Sequence, residues 1–248
     1  MNLPRFYCRE ALAPGARVEL PAPVARHAVR VLRLPPGAAM ILFDGRGGEY
    51  LAHIERIERD RVLAELADWR DIERESPLAV TLVQALQAGE KMDFTIQKAV
   101  ELGVRDIAPV VSRRSVLRLS GERAGKRVAH WQGVAAAACE QCGRNQVPLV
   151  APLEKLENWL ARPADGALRL MLAPDAALTL AELPPAGKVQ LLIGAEGGLD
   201  AEEIIAAGQT GFQAVRLGPR VLRTETAGLA ALSALQLLWG DLARTTHV

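Results

Sequence analysis

Three cysteines in 248 residues are too few for a disulfide framework, and the odd count suits a reducing compartment. Cys139 and Cys142 form a C-x-x-C, but no second pair exists to complete a zinc site. The apolar run Val134 to Ala138 precedes them, which puts the pair towards the end of a helix. That is the wrong pole for lowering a thiol pKa, so both are read as packing residues and no metal is expected. No apolar run approaches the length of a bilayer span, which excludes a spanning helix, and no membrane partner is expected. The start, MNLPRFYCRE, lacks the apolar core of a secretory signal, so a cytoplasmic protein is expected. Net charge is scarce too: 30 Lys and Arg stand against 29 Asp and Glu, and composition alone announces no nucleic-acid partner.

What is present suits two domains, with half the residues hydrophobic. Residues 1–72 are expected to form a small β-barrel domain. Alternating segments Ala39–Phe43, Glu49–Ile54 and Arg61–Ala67 read as strands, with Asp44-Gly45 and Gly47-Gly48 as turns. A short helix lies between Pro23 and Leu34, stopped by Pro-Pro-Gly. The charged stretch 70–77, RDIERESP, reads as a linker. Residues 73–248 then alternate strand and helix: strand Ala79–Leu86, helix Met92–Leu102 stopped by Gly103, strand Asp106–Val111, helix Gly121–Gln141 and strand Leu168–Leu172. This pattern predicts a parallel α/β sheet with helices on both faces.

The most informative stretch runs from Lys188 to Leu242. The apolar strand Val189–Ile193 ends at Gly194, and Glu196-Gly197-Gly198 follows. Asp200 then caps a helix carrying Glu202 and Glu203 in its first turn. A second strand, Ala214–Leu217, stops at Gly218-Pro219. The loop Arg220-Val221-Leu222-Arg223 leads to a Thr-Glu-Thr cap on a long apolar helix. Two such loops at the carboxyl ends of neighbouring parallel strands make the crevice where open α/β sheets bind ligands. The first loop is neither G-x-G-x-x-G nor a Walker loop, and Glu196 would repel a pyrophosphate. Glycines beside a carboxylate, facing an apolar loop, suit a nucleoside without phosphate, and S-adenosylmethionine fits. One Gly-Gly turn would be an ordinary strand-to-helix turn; two matched loops favour a ligand.

Ile193-Gly194-Ala195-Glu196-Gly197-Gly198 and Leu217-Gly218-Pro219-Arg220-Val221-Leu222-Arg223-Thr224-Glu225-Thr226-Ala227 resemble the two C-terminal motifs of the RsmE family. Those proteins are ribosomal RNA uridine-N3 methyltransferases of the SPOUT superfamily. The first motif departs at Ala195, where the family usually has Pro. Arg5-Phe6-Tyr7, His27, Val31-Leu32-Arg33-Leu34 and Phe43-Asp44-Gly45 resemble its PUA-like RNA-binding domain. Lys98-Ala99-Val100-Glu101-Leu102-Gly103 and Glu140-Gln141-x-x-Arg144 look like further family motifs. The resemblance implies a C-terminal trefoil knot, a homodimer, and ribosomal RNA or the small ribosomal subunit as partner. The apolar final helix, Ala227 to Leu242, is either deeply buried or an interface.

The chemistry implied is S-adenosylmethionine-dependent methylation of uracil N3. Gly194, Glu196, Gly197, Gly198, Leu217, Gly218, Val221 and Leu222 are expected to cradle the cofactor. Leu172 and Ala173 would wall the adenine, and Thr226 and Ala227 would close the site. Arg223 is the candidate for stabilising negative charge as N3 loses its proton; the alternative is an ion pair with Glu225 or Glu196. RNA contacts are expected from His27, Arg30 and Arg33, spaced i, i+3, i+6, though that spacing equally describes a solvated face. Arg113, Arg114, Arg144 and Lys98 join them, the first two from a run (113–127) in which six basic side chains face one acid. A non-catalytic ribosome-associated RNA-binding protein, and a ribose 2′-O methyltransferase, are the competing readings.

Overall fold

The computed structural model describes residues 3–59, 61–117 and 119–243. They form two compact units: residues 1–75 with 136–147, and residues 76–135 with 148–248.

The first unit is built on a five-stranded sheet of order β1-β3-β4-β5-β2. Its strands are β1 (Arg5–Tyr7), β2 (Arg17–Glu19), β3 (Ala39–Phe43), β4 (Glu49–Glu58) and β5 (Arg61–Arg70). β1 runs parallel to β3 and the remaining pairs are antiparallel. Alternation decides the inner face: Tyr50, Ala52 and Ile54 of β4 meet Val62, Ala64 and Leu66 of β5 in one core with Phe6, Met40 and Leu42. Helix α1 (Ala22–Arg26) adds Ala25 to that core, and a π-helical turn over His27–Val31 adds Ala28.

That π turn corrects the expected face of basic residues. The Leu32 amide donates to the His27 carbonyl, an i to i+5 bond that widens the turn. Arg33 then lies beyond the helix with φ 55°. His27, Arg30 and Arg33 are all exposed, but they do not share one regular helical stripe.

The second unit holds an eight-stranded, all-parallel sheet of order β11-β13-β10-β12-β6-β7-β8, with β9 pairing β7 off that path. Its strands are β6 (Ala79–Ala85), β7 (Asp106–Val111), β8 (Leu149–Val150), β9 (Glu154–Lys155), β10 (Leu168–Leu172), β11 (Leu178–Thr179), β12 (Lys188–Ile193) and β13 (Gln213–Arg216). The helices are α2 (Lys91–Glu101), α3 (Gly121–Cys142), α4 (Leu156–Leu160), α5 (Ala201–Gln209) and α6 (Thr224–Leu238). The end of α3, from Ala136, clusters with the first unit. Alternation along β6 separates the sheet's faces. Val83 and Ala85 enter a core with Leu156, Trp159, Leu192, Ala207 and Phe212, beneath α4 and α5. Leu82 and Gln84 point the other way, against Gly228 of α6. The α/β class and parallel sheet are therefore as expected.

Candidate active site

The sheet order brings three strand ends together. β10 lies between β12 and β13, so the segments leaving all three at their carboxyl ends face one cleft. The first is the turn after β12. The Gly198 amide donates to the Ala195 carbonyl at 2.8 Å, and Gly198 has φ 72°. Ala195 thus closes the turn without the rigidity of a proline. Gly194 is needed for a different reason: a Cβ there would sit 2.8 Å from the backbone carbon of Gly198, a distance no side chain tolerates. Asp200 caps α5 in a capping box with Glu203 and accepts the Glu203 amide at 2.8 Å.

The second segment joins β13 to α6. The residue capping α6 is Arg223, with no side-chain cap bond, so the expected Thr-Glu-Thr cap forms the first helical turn instead. The reason lies in where Thr224 spends its hydroxyl. It donates to the Gly194 carbonyl at 2.6 Å and accepts from Gln84 Nε2 at 3.1 Å and Gln87 Nε2 at 3.3 Å. One proton and two lone pairs are all used. Gln87 is fixed in turn by the Thr95 hydroxyl at 2.9 Å. Gln84, Gln87 and Thr95 are fully buried, so the network forms the floor under both loops.

A charged bridge parallels it. Lys91, in the first turn of α2, lies 3.7 Å from Glu196 and 3.5 Å from Glu225. Glu196 also accepts the Ala88 amide at 3.0 Å. The alternative expected for Arg223 is thereby corrected: both acids go to Lys91, and Arg223 has no ion pair among the described residues.

The cleft is lined by Leu172, Ala173, Gly194, Glu196, Gly198, Leu217, Gly218, Val221, Leu222, Arg223 and Ala227 of the expected residues. Gly197 and Thr226 are outside the lining. Gly197 is instead covered by Arg114, whose guanidinium donates to its carbonyl at 2.7 Å. Thr226 is exposed in the first turn of α6. Pattern reading missed Thr224, Arg216 and Arg220 on the lining, and Gln84, Gln87 and Lys91 beneath it. A glutamine inside the apolar run of β6 was the available signal, because a polar residue in a buried strand needs a partner.

The expected RNA contacts divide. Arg144 is 4% exposed and its guanidinium is bound by Glu75, so it is a buried structural ion pair in the first unit and not an RNA contact. Arg113 is exposed but faces Asp200 at 3.2 Å, Glu202 and, at 4.0 Å, Glu157; its amide donates to Glu203 at 2.8 Å. Its charge is answered by acids distant in sequence. Lys98 pairs with Glu101 at 2.7 Å, Lys126 with Glu122 at 2.7 Å and Arg127 with Asp93 at 3.5 Å. Arg118 lies outside the described residues. Much of the basic run is thus neutralised on folding.

Residues 74–236 match the family of RNA methyltransferase domains, and residues 20–67 match that of RNA methyltransferase PUA domains. A ribosomal RNA small subunit methyltransferase E from Buchnera aphidicola is 34% identical over 242 residues, covering 97% of this chain and 98% of its own. The chain belongs to the ribosomal RNA small subunit methyltransferase E family. Two solved structures resemble it over almost their whole length. The family member from Neisseria gonorrhoeae, bound to S-adenosylmethionine, is 44% identical with a TM-score of 0.92, covering 97% of this chain and 99% of that one. A Legionella pneumophila methyltransferase in complex with the same cofactor is 38% identical with a TM-score of 0.94, covering 98% and 100%.

Proposed function

We propose that the chain is an S-adenosylmethionine-dependent methyltransferase acting on N3 of a uridine in small-subunit (16S) ribosomal RNA. The observation that carries this reading is the lock between Thr224 and Gly194, which holds two glycine-bearing loops as one cradle at the ends of β12 and β13. The cradle fits the cofactor. It offers open backbone approach at Gly198 and Gly218, apolar walls from Leu172, Leu217 and Leu222, and no glycine-rich nucleotide-phosphate loop. The relatives' structures with S-adenosylmethionine support the same assignment.

When bound, the cofactor supplies an electrophilic methyl group. The protein's own work is positioning and charge. Backbone groups of Gly194, Gly198, Leu217, Gly218, Val221 and Leu222 would hold the donor, and Leu172 and Ala173 would wall its base. Ala227 would close the site from the first turn of α6. The Glu196 carboxylate, held by Lys91 and the Ala88 amide, keeps anionic groups out of the first loop. Arg223, exposed on the lining and unpaired among the described residues, stabilises the negative charge left on the uracil when its N3 proton leaves. The target nucleotide must be unpaired or flipped out, since N3 is otherwise engaged in a base pair.

An N-terminal RNA-binding domain over 1–72 and a methyltransferase domain over 73–248 belong to this proposal, supported by the separate matches to 20–67 and 74–236. So do the trefoil knot, the cytoplasmic location and a homodimer. Leu237, Leu238 and Leu242, each about half exposed near the end of α6, supply apolar surface for the dimer. His27, Arg30 and Arg33 remain the proposed RNA contacts of the first unit, with Arg114 in the second. Isothermal calorimetry tests the cofactor assignment: wild-type protein binds S-adenosylmethionine, and Gly194→Ala, which drives a methyl group into the turn, abolishes binding. Equal affinity in both proteins contradicts it.

A further inference from the structure

Three arginines crowd one edge of the cleft. Arg216, Arg220 and Arg223 all line it and are exposed, and none of their guanidiniums makes an ion pair or hydrogen bond with a described residue. The acid on the lining, Glu196, is taken by Lys91 and the Ala88 amide. Glu182 feels the charge of Arg216, but its hydrogen bonds go to the hydroxyl and amide of Thr179 and it forms no ion pair with the guanidinium. The contrast with Arg113, whose charge meets three carboxylates, is direct. Three like charges on an arc of eight residues repel one another unless an anion spans them.

Two oxyanions could do so, the cofactor's single carboxylate or the phosphates of an RNA strand. S-adenosylmethionine brings one carboxylate, beside a sulfonium and an ammonium, and a single anionic group cannot answer three guanidiniums. A polyanion gains from all three, and the planar fork of each suits a phosphate. Val221, between Arg220 and Leu222, is 80% exposed and gives the arc an apolar side that an unstacked base can cover.

We infer that the arc Arg216–Arg223 is a phosphate-binding subsite, in which Arg216 and Arg220 hold backbone phosphates of a single-stranded RNA segment so that its target base enters the cleft beside Arg223. This rests on the cleft being the cofactor site. The loop then has two faces: its backbone serves the donor and its guanidiniums serve the acceptor.

Filter binding of in vitro transcribed small-subunit ribosomal RNA across a salt series tests it, with the full-length Arg216→Ala, Arg220→Ala variant. Loss of two contacts to a single strand lowers the slope of log K against log salt by about 1.4. Arg216→Lys, Arg220→Lys, which keeps the charges, restores most of the slope. An unchanged slope in the alanine variant overturns the inference. If the slope holds while calorimetric affinity for S-adenosylmethionine falls, the arginines serve the cofactor carboxylate instead, which overturns it as well. Failure of the wild-type protein to bind the cofactor strikes at the reading of the cleft, and the salt slope still reports on the arginines separately.

Discussion

The Thr224 hydroxyl donates to the Gly194 carbonyl at 2.6 Å, and this bond ties the start of α6 to the turn after β12. The two lie thirty positions apart in the chain, with all of α5 and β13 between them. The cradle is therefore a tertiary construction, held from below by Gln84 and Gln87.

Thr224→Val keeps the shape and removes the hydroxyl. It leaves the Gly194 carbonyl and two glutamine donors without their partner in a buried place, at a cost of about 1–3 kcal/mol of stability. We expect a lower Tm, and a weakened affinity for S-adenosylmethionine by calorimetry. Thr224→Ser retains the hydroxyl and should retain affinity. Equal loss in both variants would show that methyl packing, not the hydrogen bond, matters.

Lys91 is the second tie, bridging Glu196 and Glu225 at 3.7 and 3.5 Å. Removing it leaves two carboxylates facing each other across the loops. Because these groups are partly solvated, the effect is modest: Lys91→Met should weaken cofactor binding about two- to fivefold. Adding Glu225→Gln removes the repulsion and should recover part of the loss. A double-mutant cycle with no coupling between the two positions would refute the bridge.

These ties also show what a sequence can carry. The strands Asp106–Val111 and Leu168–Leu172 and the Asp200 cap were legible because each is a local pattern of apolar run, glycine or capping residue. The three-residue strands Arg5–Tyr7 and Arg17–Glu19 were not, being too short to alternate. Charge counts along the chain misled for a related reason. Arg144 finds Glu75 across 69 residues, and Arg113, at the head of the basic run, finds Glu202 across 89, so a charge that stands alone in sequence is answered in space. Thr224 was misplaced as a cap because its hydroxyl is claimed by a carbonyl thirty positions away.

The Asp200 carboxyl is held below its ordinary pKa, first by the Glu203 amide it accepts and further by Arg113. A depressed folded-state pKa gives stability that is present above the unfolded-state value and lost as pH falls through the folded one. The Tm difference between wild type and Asp200→Asn should therefore be largest near neutral pH and shrink on acidification. A difference that grows towards acid would contradict the cap's role.

Burial pushes the Cys139 thiol up to about 12, and Cys8 likewise. Neither is a nucleophile near neutral pH, since the thiolate is the reactive form. Alkylation of native protein with iodoacetamide should spare both, and both should label after unfolding. Rapid native labelling of Cys139 would reopen the C-x-x-C as a redox pair.

The whole account turns on where a methyl group ends up. Small-subunit ribosomal RNA from cells lacking this activity should be incubated with the protein and S-adenosylmethionine, digested to nucleosides and analysed by mass spectrometry. The account predicts 3-methyluridine with wild-type protein, sharply reduced with Arg223→Ala and absent with Gly194→Ala. Methyl on a ribose 2′-oxygen, or no transfer to naked RNA or to small-subunit particles, would contradict it.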